Sequence, residues 1–271
     1  MRTPFPRRPF PRRPFPRRPF PRRLGHGEEA TLVEHLGELR SRLLISLLAL
    51  TVGFAVAFAF HGTLIEWLTR PLPDDRKLVT FGVTEPFYTA VKVSFYGALA
   101  VAFPVLVHQL WSFLAPAIEE RSQRVISMFV LMATGLFAAG VAFGYAIVLP
   151  RAVSFLTSYD EALYDVQVRA SYYFSFVSLA LVGMGLVFEM PIFVLALVRL
   201  QILSADRLRR NRRVGIFLVV LAAVLLPTVD PVSLVFEAVP MVLLFEFSIW
   251  LAAVMERRWA RAGLLWPASE Q

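Results

Sequence analysis

The chain has 271 residues, 57% of them hydrophobic, and a formal net charge of +8. Its mean hydropathy of +0.60 is too high for a soluble domain and indicates an integral membrane protein with several spans. The absence of cysteine excludes disulfide bonds and thiolate metal sites.

The first 31 residues are rich in Arg and Pro, because residues 4–23 consist of the pentapeptide PFPRR repeated four times. The recurring prolines remove backbone donors and block helix and sheet, so we expect residues 1–31 to be a disordered cytoplasmic tail. The eight arginines of the repeats would attract anionic lipid head groups, by about 1 kcal/mol per charge near the membrane surface.

Six apolar stretches can cross, or nearly cross, a bilayer, and they lie at 43–61, 88–111, 125–150, 171–198, 214–226 and 232–254. The fifth stretch has about 13 residues, which gives a helix of about 20 Å against a hydrocarbon core of about 30 Å. Because PTVDP and another apolar run follow it directly, we interpret the fifth and sixth stretches as a short hairpin. The sequence therefore predicts an all-α membrane protein with six transmembrane helices, of which the fifth and sixth are short.

Basic residues are distributed unevenly between the loops, and this distribution predicts the orientation of the chain. Eleven Arg precede the first span, and two, six and three basic residues occur in 112–124, in 199–213 and after residue 254. The intervening loops hold three, two and none. By the positive-inside rule, we expect both termini and the 112–124 and 199–213 loops to be cytoplasmic.

The outer loops and the prolines predict irregular features. The first outer loop, 61–87, has room for one short amphipathic helix near 63–69, with Trp67 at the membrane interface. The second outer loop, 151–170, is expected to be ordered and to lie over the outer mouth. Three prolines within the spans remove backbone hydrogen bonds and should bend their helices. They are Pro104, Pro191 and Pro240.

Carboxylates occur at membrane depth. In the apolar run LVFEMPIFVLALV, Glu189 lies ten residues before Arg199, hence about 15 Å from the cytoplasmic end and near mid-bilayer. Glu246 lies at a similar depth in the sixth span, and Glu237 precedes it by nine residues, on the opposite face of an ideal helix. Such a carboxylate costs several kcal/mol, so each one is either satisfied between helices or functional.

No arrangement of residues supports hydrolytic chemistry, so we expect no enzymatic activity. The four His residues, at 26, 35, 61 and 108, show no HExxH or other ligand spacing, and GxSxG is absent. His108 and Gln109 lie at the cytoplasmic end of the second span. Like the carboxylates at membrane depth, each of them is either satisfied between helices or functional.

Five motifs follow one another along the chain. They are HLGELRSRL at 35–43, TEPF at 84–87 with Lys92 after it, HQLWSFLAPAI at 108–118, FEMP at 188–191 and LLFE at 243–246. In order and spacing they resemble the TatC family, the multi-span receptor of the twin-arginine protein translocase. The similarity extends from about residue 32 to 258, which predicts a membrane domain at 32–258 and a cytoplasmic C-terminal tail at 259–271.

The resemblance implies six helices arranged as a curved, concave wall, with no cofactor, no metal and no nucleic acid partner. It implies cytoplasmic binding of signal peptides that have two adjacent arginines and belong to folded cargo proteins. It also implies single-span partners of the TatA and TatB type and a homo-oligomeric complex. Export would be driven by the proton-motive force across the bacterial cytoplasmic (inner) membrane.

The resemblance also implies residues for signal-peptide binding. A guanidinium presents a planar fork of donors that a carboxylate meets in bidentate fashion, so two adjacent arginines need two acidic sites. Glu38 matches the acid of the family's HLxELR motif, and Arg40 beside it would hold this segment. The family's second acid lies in the first cytoplasmic loop, where this chain has Glu119 and Glu120, and we favour Glu120. Phe113 matches the aromatic residue just before AP and would pack on the peptide.

Further matches concern the membrane interior. Glu189 matches the family's acid in the fourth span and, with Gln109, would form an intramembrane polar site on the concave side, accessible to water and to the signal peptide. Asp230 of the family's hairpin motif is kept, whereas Leu234 replaces an expected Gln and Thr228 stands in for a displaced hydroxyl. The expected partner-docking residues are Asp230, Thr228 and Glu246.

The main alternative is a solute or proton transporter or channel in which Glu189 and Glu246 form an intramembrane relay. Such transporters are typically built from inverted or parallel repeats with broken helices at matching positions. The sequence shows no such internal symmetry, which favours the receptor.

Overall fold

The computed structural model describes residues 32–73, 76–114, 123–160, 163, 166–224 and 231–261. The predicted N-terminal tail and four of the predicted site residues lie outside these ranges. The four are Glu119, Glu120, Thr228 and Asp230. The chain forms two compact units, residues 1–41 and 42–271.

The described residues are mainly helical. In chain order the helices are α1 (Leu32–Ala59), α2 (His61–Thr69), α3 (Glu85–Leu114), α4 (Gln123–Phe143), a π-helical turn (Gly144–Val148), α5 (Leu149–Ser158), α6 (Ala170–Phe188), α7 (Met190–Arg199), α8 (Ala205–Arg210), α9 (Arg212–Val224) and α10 (Pro231–Arg261). Two short strands, β1 (Leu78–Val79) and β2 (Val168–Arg169), pair in parallel.

Five helical stretches of the described chain are long and apolar enough to cross a membrane. They are Leu36–Ala59, Glu85–Leu114, Ile126–Ser158, Ala170–Arg199 and Leu234–Trp259. With 13 residues, α9 is as short as the sequence predicts for the fifth stretch. The expectation of a short sixth helix is wrong, because α10 has 31 residues. Pro240 lies inside α10 without ending it, since packing on α7 and α9 supports the helix where the proline removes one hydrogen bond.

The third apolar stretch continues further than its hydropathy predicts. The π-helical turn joins α4 directly to α5, so helix extends to Ser158 where the sequence predicts a loop from residue 151. Pro150 lies at the beginning of α5, where the missing backbone donor costs little, and one side of α5 is buried through Leu149, Ala152 and Val153. Burial of this apolar side stabilises α5 as a helix in a segment where the sequence predicts a loop.

The predicted amphipathic helix of the first outer loop is confirmed as α2. Its Leu68 is buried, whereas Trp67 is exposed and stacks on Tyr145 with ring centroids 4.6 Å apart. The hydroxyl of Tyr145 donates to the Trp67 carbonyl and that of Tyr173 to the Leu68 carbonyl, both at 2.9 Å. These bonds hold α2 against the π-helical turn and the beginning of α6.

Helices α3, α4 and α6 pack on one another. Phe103 of α3 and Phe137 of α4, whose rings stack 3.8 Å apart, belong to a core that these two helices form with α7. The backbones of α4 and α6 touch at two glycines. A Cβ on Gly140 would lie 2.6 Å from the Met184 carbonyl oxygen, and one on Gly185 would lie 2.6 Å from Cε2 of Phe137. The small residues therefore permit this crossing.

Candidate functional site

The first predicted acid lies near the beginning of α1. Glu38 is half-buried and Arg40 is exposed, and the Ser41 hydroxyl donates to the Glu38 carbonyl at 2.8 Å. Farther along, most of the apolar side chains of α1 are exposed, for example Leu43, Leu44 and Leu47. Such an apolar surface suits contact with lipid.

The end of α3 positions the predicted aromatic residue. Phe113 is half-buried, and the preceding Ser112 accepts a hydrogen bond through its carbonyl from Nη2 of Arg42 at 3.0 Å. Trp111 is buried and stacks on Phe129 of α4 at 4.5 Å. Gln109, one helical turn before Phe113, is also half-buried. The contact of Arg42 with α3 was not predicted, because a contact between α1 and α3 leaves no trace in the spacing of either segment.

The break between α6 and α7 lies at Glu189 itself, two residues before Pro191. The Glu189 amide donates to the Leu186 carbonyl at 3.1 Å, and the Glu189 carbonyl accepts from Ile192 and Phe193 at 3.0 Å. Of the three prolines expected to bend helices, Pro191 alone coincides with a helix break in the described chain. A helix end within the membrane needs surrounding protein to satisfy its polar groups.

The Glu189 side chain is only 5% exposed, and its Oε1 has no hydrogen-bond partner among the described residues. The expected access to water is therefore wrong for this conformation. Glu189 is buried where the next residue, Met190, packs against two apolar clusters. One cluster is formed by α7 with α10, and the other by α9 with α10. A buried carboxylate oxygen without a donor costs free energy, which is typical of a functional group rather than a structural one.

The acids of α10 have different environments. Glu237 is fully buried, whereas Glu246 is partly exposed and forms an ion pair with Nε of Arg212, the first residue of α9. The difference agrees with the predicted opposite faces. Arg212 was missed, although a signal exists, since Arg212 and Glu246 each lie 17 residues from Val229 and would face each other in a hairpin centred there.

A third buried carboxylate joins the segments 61–87 and 151–170. Glu85, at the beginning of α3, accepts hydrogen bonds from Nε of Arg169 at 3.0 Å and from the amides of Phe81 and Ser171 at 3.0 and 3.2 Å. The hydrogen bond to Glu85 raises the pKa of the Arg169 guanidinium above its usual value. Arg169 thus stays charged and fixes β2 next to β1. As a family motif, TEPF did not by itself predict this role of Glu85.

The described residues contain no group of His, Asp and Glu that could hold a metal ion. What they do provide is a set of single carboxylates, of which Glu85 lies at a helix end and Glu189 at a helix break. Such groups bind cations and hydrogen-bond donors, and guanidinium is the side chain that matches a carboxylate best.

Comparison with known proteins gives consistent matches. The family profile of the Sec-independent protein translocase protein (TatC) matches residues 34–240. The chain is 34% identical over 231 residues to TatCd of Bacillus subtilis, a match that covers 85% of this chain and 95% of that protein. It is also 34% identical over 233 residues to TatC of Aquifex aeolicus, covering 84% and 96%.

Among solved structures, the crystal structure of the twin arginine translocase receptor TatC in DDM is similar to the present fold. Its TM-score is 0.73 at 32% sequence identity, and the match covers 80% of this chain and 99% of that chain. The residues matched by the family profile include Glu38, Phe113 and Glu189.

Proposed function

The chain belongs to the TatC family of protein translocase components, and from this premise we propose that it is the receptor for twin-arginine signal peptides. TatC proteins are not enzymes, and with five apolar helices this chain is a multi-pass membrane protein that works with other Tat components. The observation that carries the proposal is its 32% identity to a twin arginine translocase receptor, 99% of which it covers.

The proposed ligand contacts follow from guanidinium chemistry. Glu38 and one loop acid, Glu120 in preference to Glu119, would each accept a bidentate pair of hydrogen bonds from one arginine of the signal peptide. Phe113 would pack on the peptide, and Arg40 would hold the segment around Glu38. The partial exposure of Glu38 and Phe113 supports these roles, because a ligand can reach both side chains.

The proposed topology has six spans in a concave wall, with α9 as the short fifth span and both termini in the cytoplasm. The distribution of Arg and Lys supports it. By length and position the two helices of Ala170–Arg199 form one span, interrupted at Glu189. The chain would form a membrane domain at 32–258, preceded by the Arg- and Pro-rich segment 1–31 and followed by a C-terminal segment at 259–271.

The proposed partners are TatA- and TatB-type single-span proteins, further copies of this chain, and anionic lipids of the bacterial inner membrane. Asp230, Thr228 and Glu246 would contact a partner helix beside the α9–α10 hairpin. Glu189 and Gln109 would form a polar site within the membrane. Movement of folded cargo would be driven by the proton-motive force.

The decisive experiment is site-specific photocrosslinking of a twin-arginine peptide to the full chain in lipid nanodiscs. A photoreactive residue is placed at 39, 113 or 121, so that Glu38 and Glu120 are both kept, and at Leu44 as a control that is exposed on α1 but apolar. A two-lysine peptide has the same charge without the planar fork, so we expect crosslinks at the three site positions to fall roughly tenfold with it. Equal crosslinking of the two peptides, or crosslinks at Leu44 alone, would show that the chain is not such a receptor.

The relay alternative is less well supported. Glu246 forms an ion pair with Arg212 at the beginning of α9, which gives it a structural contact between two helices in place of a position in a relay. Flux measured in proteoliposomes without partners separates the two functions. A channel would conduct and lose conduction in Glu189→Gln, whereas the proposed receptor would show no flux.

A further inference from the structure

Lys92 is a basic residue within an apolar span, and it forms no ion pair with any residue that the structure describes. It lies seven residues after the beginning of α3, about 10 Å along the helix axis, and its side chain is exposed. Its ammonium group donates to the Ser175 hydroxyl of α6 at 2.9 Å. A cation at this depth is costly in a bilayer unless a counter-charge stabilises it, and such residues are functional by default.

The two helices that form this surface do not supply the counter-charge. Glu85 is the only acid of α3, and its carboxylate already accepts hydrogen bonds from Arg169 and from two backbone amides. Helix α6 contains no Asp or Glu. Because Glu85 and Arg169 balance each other, Lys92 leaves one positive charge uncompensated near the beginnings of α3 and α6.

Ser175 positions the ammonium group of Lys92 and leaves most of its donors available. The Ser175 hydroxyl donates to the Ser171 carbonyl, so its lone pairs face other donors. An ammonium group has three donors, and the contact with Ser175 uses one, which leaves two for an acceptor from outside the described chain. The flexible lysine side chain also lets the charge reach toward the membrane surface while its stem stays in the apolar layer.

Two tyrosines and Arg169 lie nearer to the membrane surface than Lys92. Tyr88 lies one helical turn before Lys92 and is 65% exposed. Tyr172 lies one turn before Ser175 and is 71% exposed. The Arg169 guanidinium lies 5.2 Å over the Tyr172 ring and uses its Nε in a hydrogen bond, so its Nη groups remain available. Exposed tyrosines are typical of the level of lipid head groups.

Apolar side chains lie on the opposite side of Lys92, toward the membrane interior. Phe95 follows Lys92 by three residues and is 51% exposed. Leu179 follows Ser175 by four residues and is 44% exposed. Along the two helices, polar donors are therefore followed by an ammonium group and then by apolar side chains. A phospholipid has the same order of head group, phosphate and acyl chains.

We propose that the surface between the beginnings of α3 and α6 binds one anionic phospholipid through its phosphate group. The two remaining donors of Lys92 and the Nη groups of Arg169 would contact the phosphate oxygens. The hydroxyls of Tyr88 and Tyr172 would donate to the same head group, and the acyl chains would cover the apolar side chains beyond Lys92. The phosphate supplies the charge that α3 and α6 lack, and it joins the two helices at the membrane surface.

The test is native mass spectrometry of the full chain in detergent, titrated with phosphatidylglycerol. Lys92→Gln removes the charge, so we expect the dissociation constant of the most tightly bound lipid to rise about tenfold. Lys92→Arg keeps a charged donor and should stay within about threefold of the unmodified chain. Arg151→Gln is the matched control, because it removes an exposed charge that lies over Phe236 of α10 instead, and it should leave the constant unchanged.

A second variant keeps every charge. Tyr172→Phe removes one exposed hydroxyl, and we expect the same dissociation constant to rise about threefold. Melting temperatures of all variants show whether each one folds. If Lys92→Gln does not fold, an unchanged constant in Tyr172→Phe overturns the proposal.

Two further ligands identify the source of the phosphate. Diacylglycerol has the acyl chains without the phosphate, and inorganic phosphate has the group without the chains, so we expect neither to bind in a manner that depends on Lys92. Binding of inorganic phosphate that is lost in Lys92→Gln would overturn the lipid in favour of a free anion. Equal binding of phosphatidylglycerol by Lys92→Gln and the unmodified chain would overturn the proposal in favour of an acidic side chain from another protein. Equal losses in Lys92→Gln and Arg151→Gln would overturn it in favour of general charge attraction.

Discussion

Arg212, the first residue of α9, is paired with Glu246 at the midpoint of α10, the two side chains being 58% and 30% exposed. The pair sets how α9 lies along α10, since Gly215 then faces the ring of Phe245 closely. Beyond Glu246, α10 is covered by α7 and α8 instead. The ion pair between Arg212 and Glu246 therefore lies where α9, the short helix of the hairpin, begins.

Reversing the charges tests the pair. Arg212→Glu and Glu246→Arg each place like charges together and should lower the melting temperature of the purified protein in detergent. The double variant restores opposite charges and should recover stability, with a coupling of about 0.5–1 kcal/mol because both groups are partly exposed. If the loss of stability in the double variant equals the sum of the losses in the two single variants, the pair does not fix the hairpin.

The contact between α4 and α6 predicts opposite outcomes for two glycines of one helix. In Gly140→Ala the new methyl group would clash with the Met184 backbone, which cannot move aside, so we expect a loss of about 1–3 kcal/mol. Gly135→Ala meets nothing within 4 Å and should be neutral or slightly stabilising. The measurement is thermal unfolding of both variants. Equal melting temperatures would mean that α4 and α6 are farther apart than in this structure.

Glu85→Gln should loosen the junction of the two outer loops. An amide side chain has one acceptor oxygen, so one of the three donors now bound by Glu85 loses its acceptor. We expect the amides of Phe81 or Ser171 to exchange hydrogen roughly tenfold faster, as measured by mass spectrometry. Glu66→Gln, on the exposed side of α2, serves as the control and should leave both amides protected.

Glu189→Gln should not destabilise the protein, because Oε1 of Glu189 has no partner among the described residues. Replacing a buried carboxyl group by a neutral amide of the same shape should leave the melting temperature unchanged or raise it by up to about 4 °C. Glu256→Gln is the matched control. Its Oε2 accepts from the Ala205 amide at the beginning of α8 at 3.0 Å, so here the same change should lower stability.

A lower melting temperature in Glu189→Gln would mean that the carboxylate is held by groups that stabilise its charge. Reduced export by a fully stable Glu189→Gln protein would assign Glu189 to transport rather than to folding. Export of a twin-arginine cargo from cells, measured beside the stability of the purified variant, separates the two outcomes.

Local chemistry determined much of this protein. Apolar runs of sufficient length identified the membrane class, because a bilayer core sets a minimum helix length. The amphipathic stretch around Trp67 and the interruption next to Pro191 were predictable from side-chain spacing and from the missing proline donor. The motifs around Glu38, Phe113 and Glu189 were sufficient to indicate the family, which the comparisons confirm.

Only the tertiary structure decided which charges meet. Glu85 and Arg169 lie 84 residues apart and Arg212 and Glu246 lie 34 apart, and such pairings depend on how helices pack rather than on either segment alone. Packing also buried Glu189, which the family resemblance had placed on an accessible face. Hydropathy reports how deep a residue lies, whereas its partners and its access to water depend on the neighbouring helices.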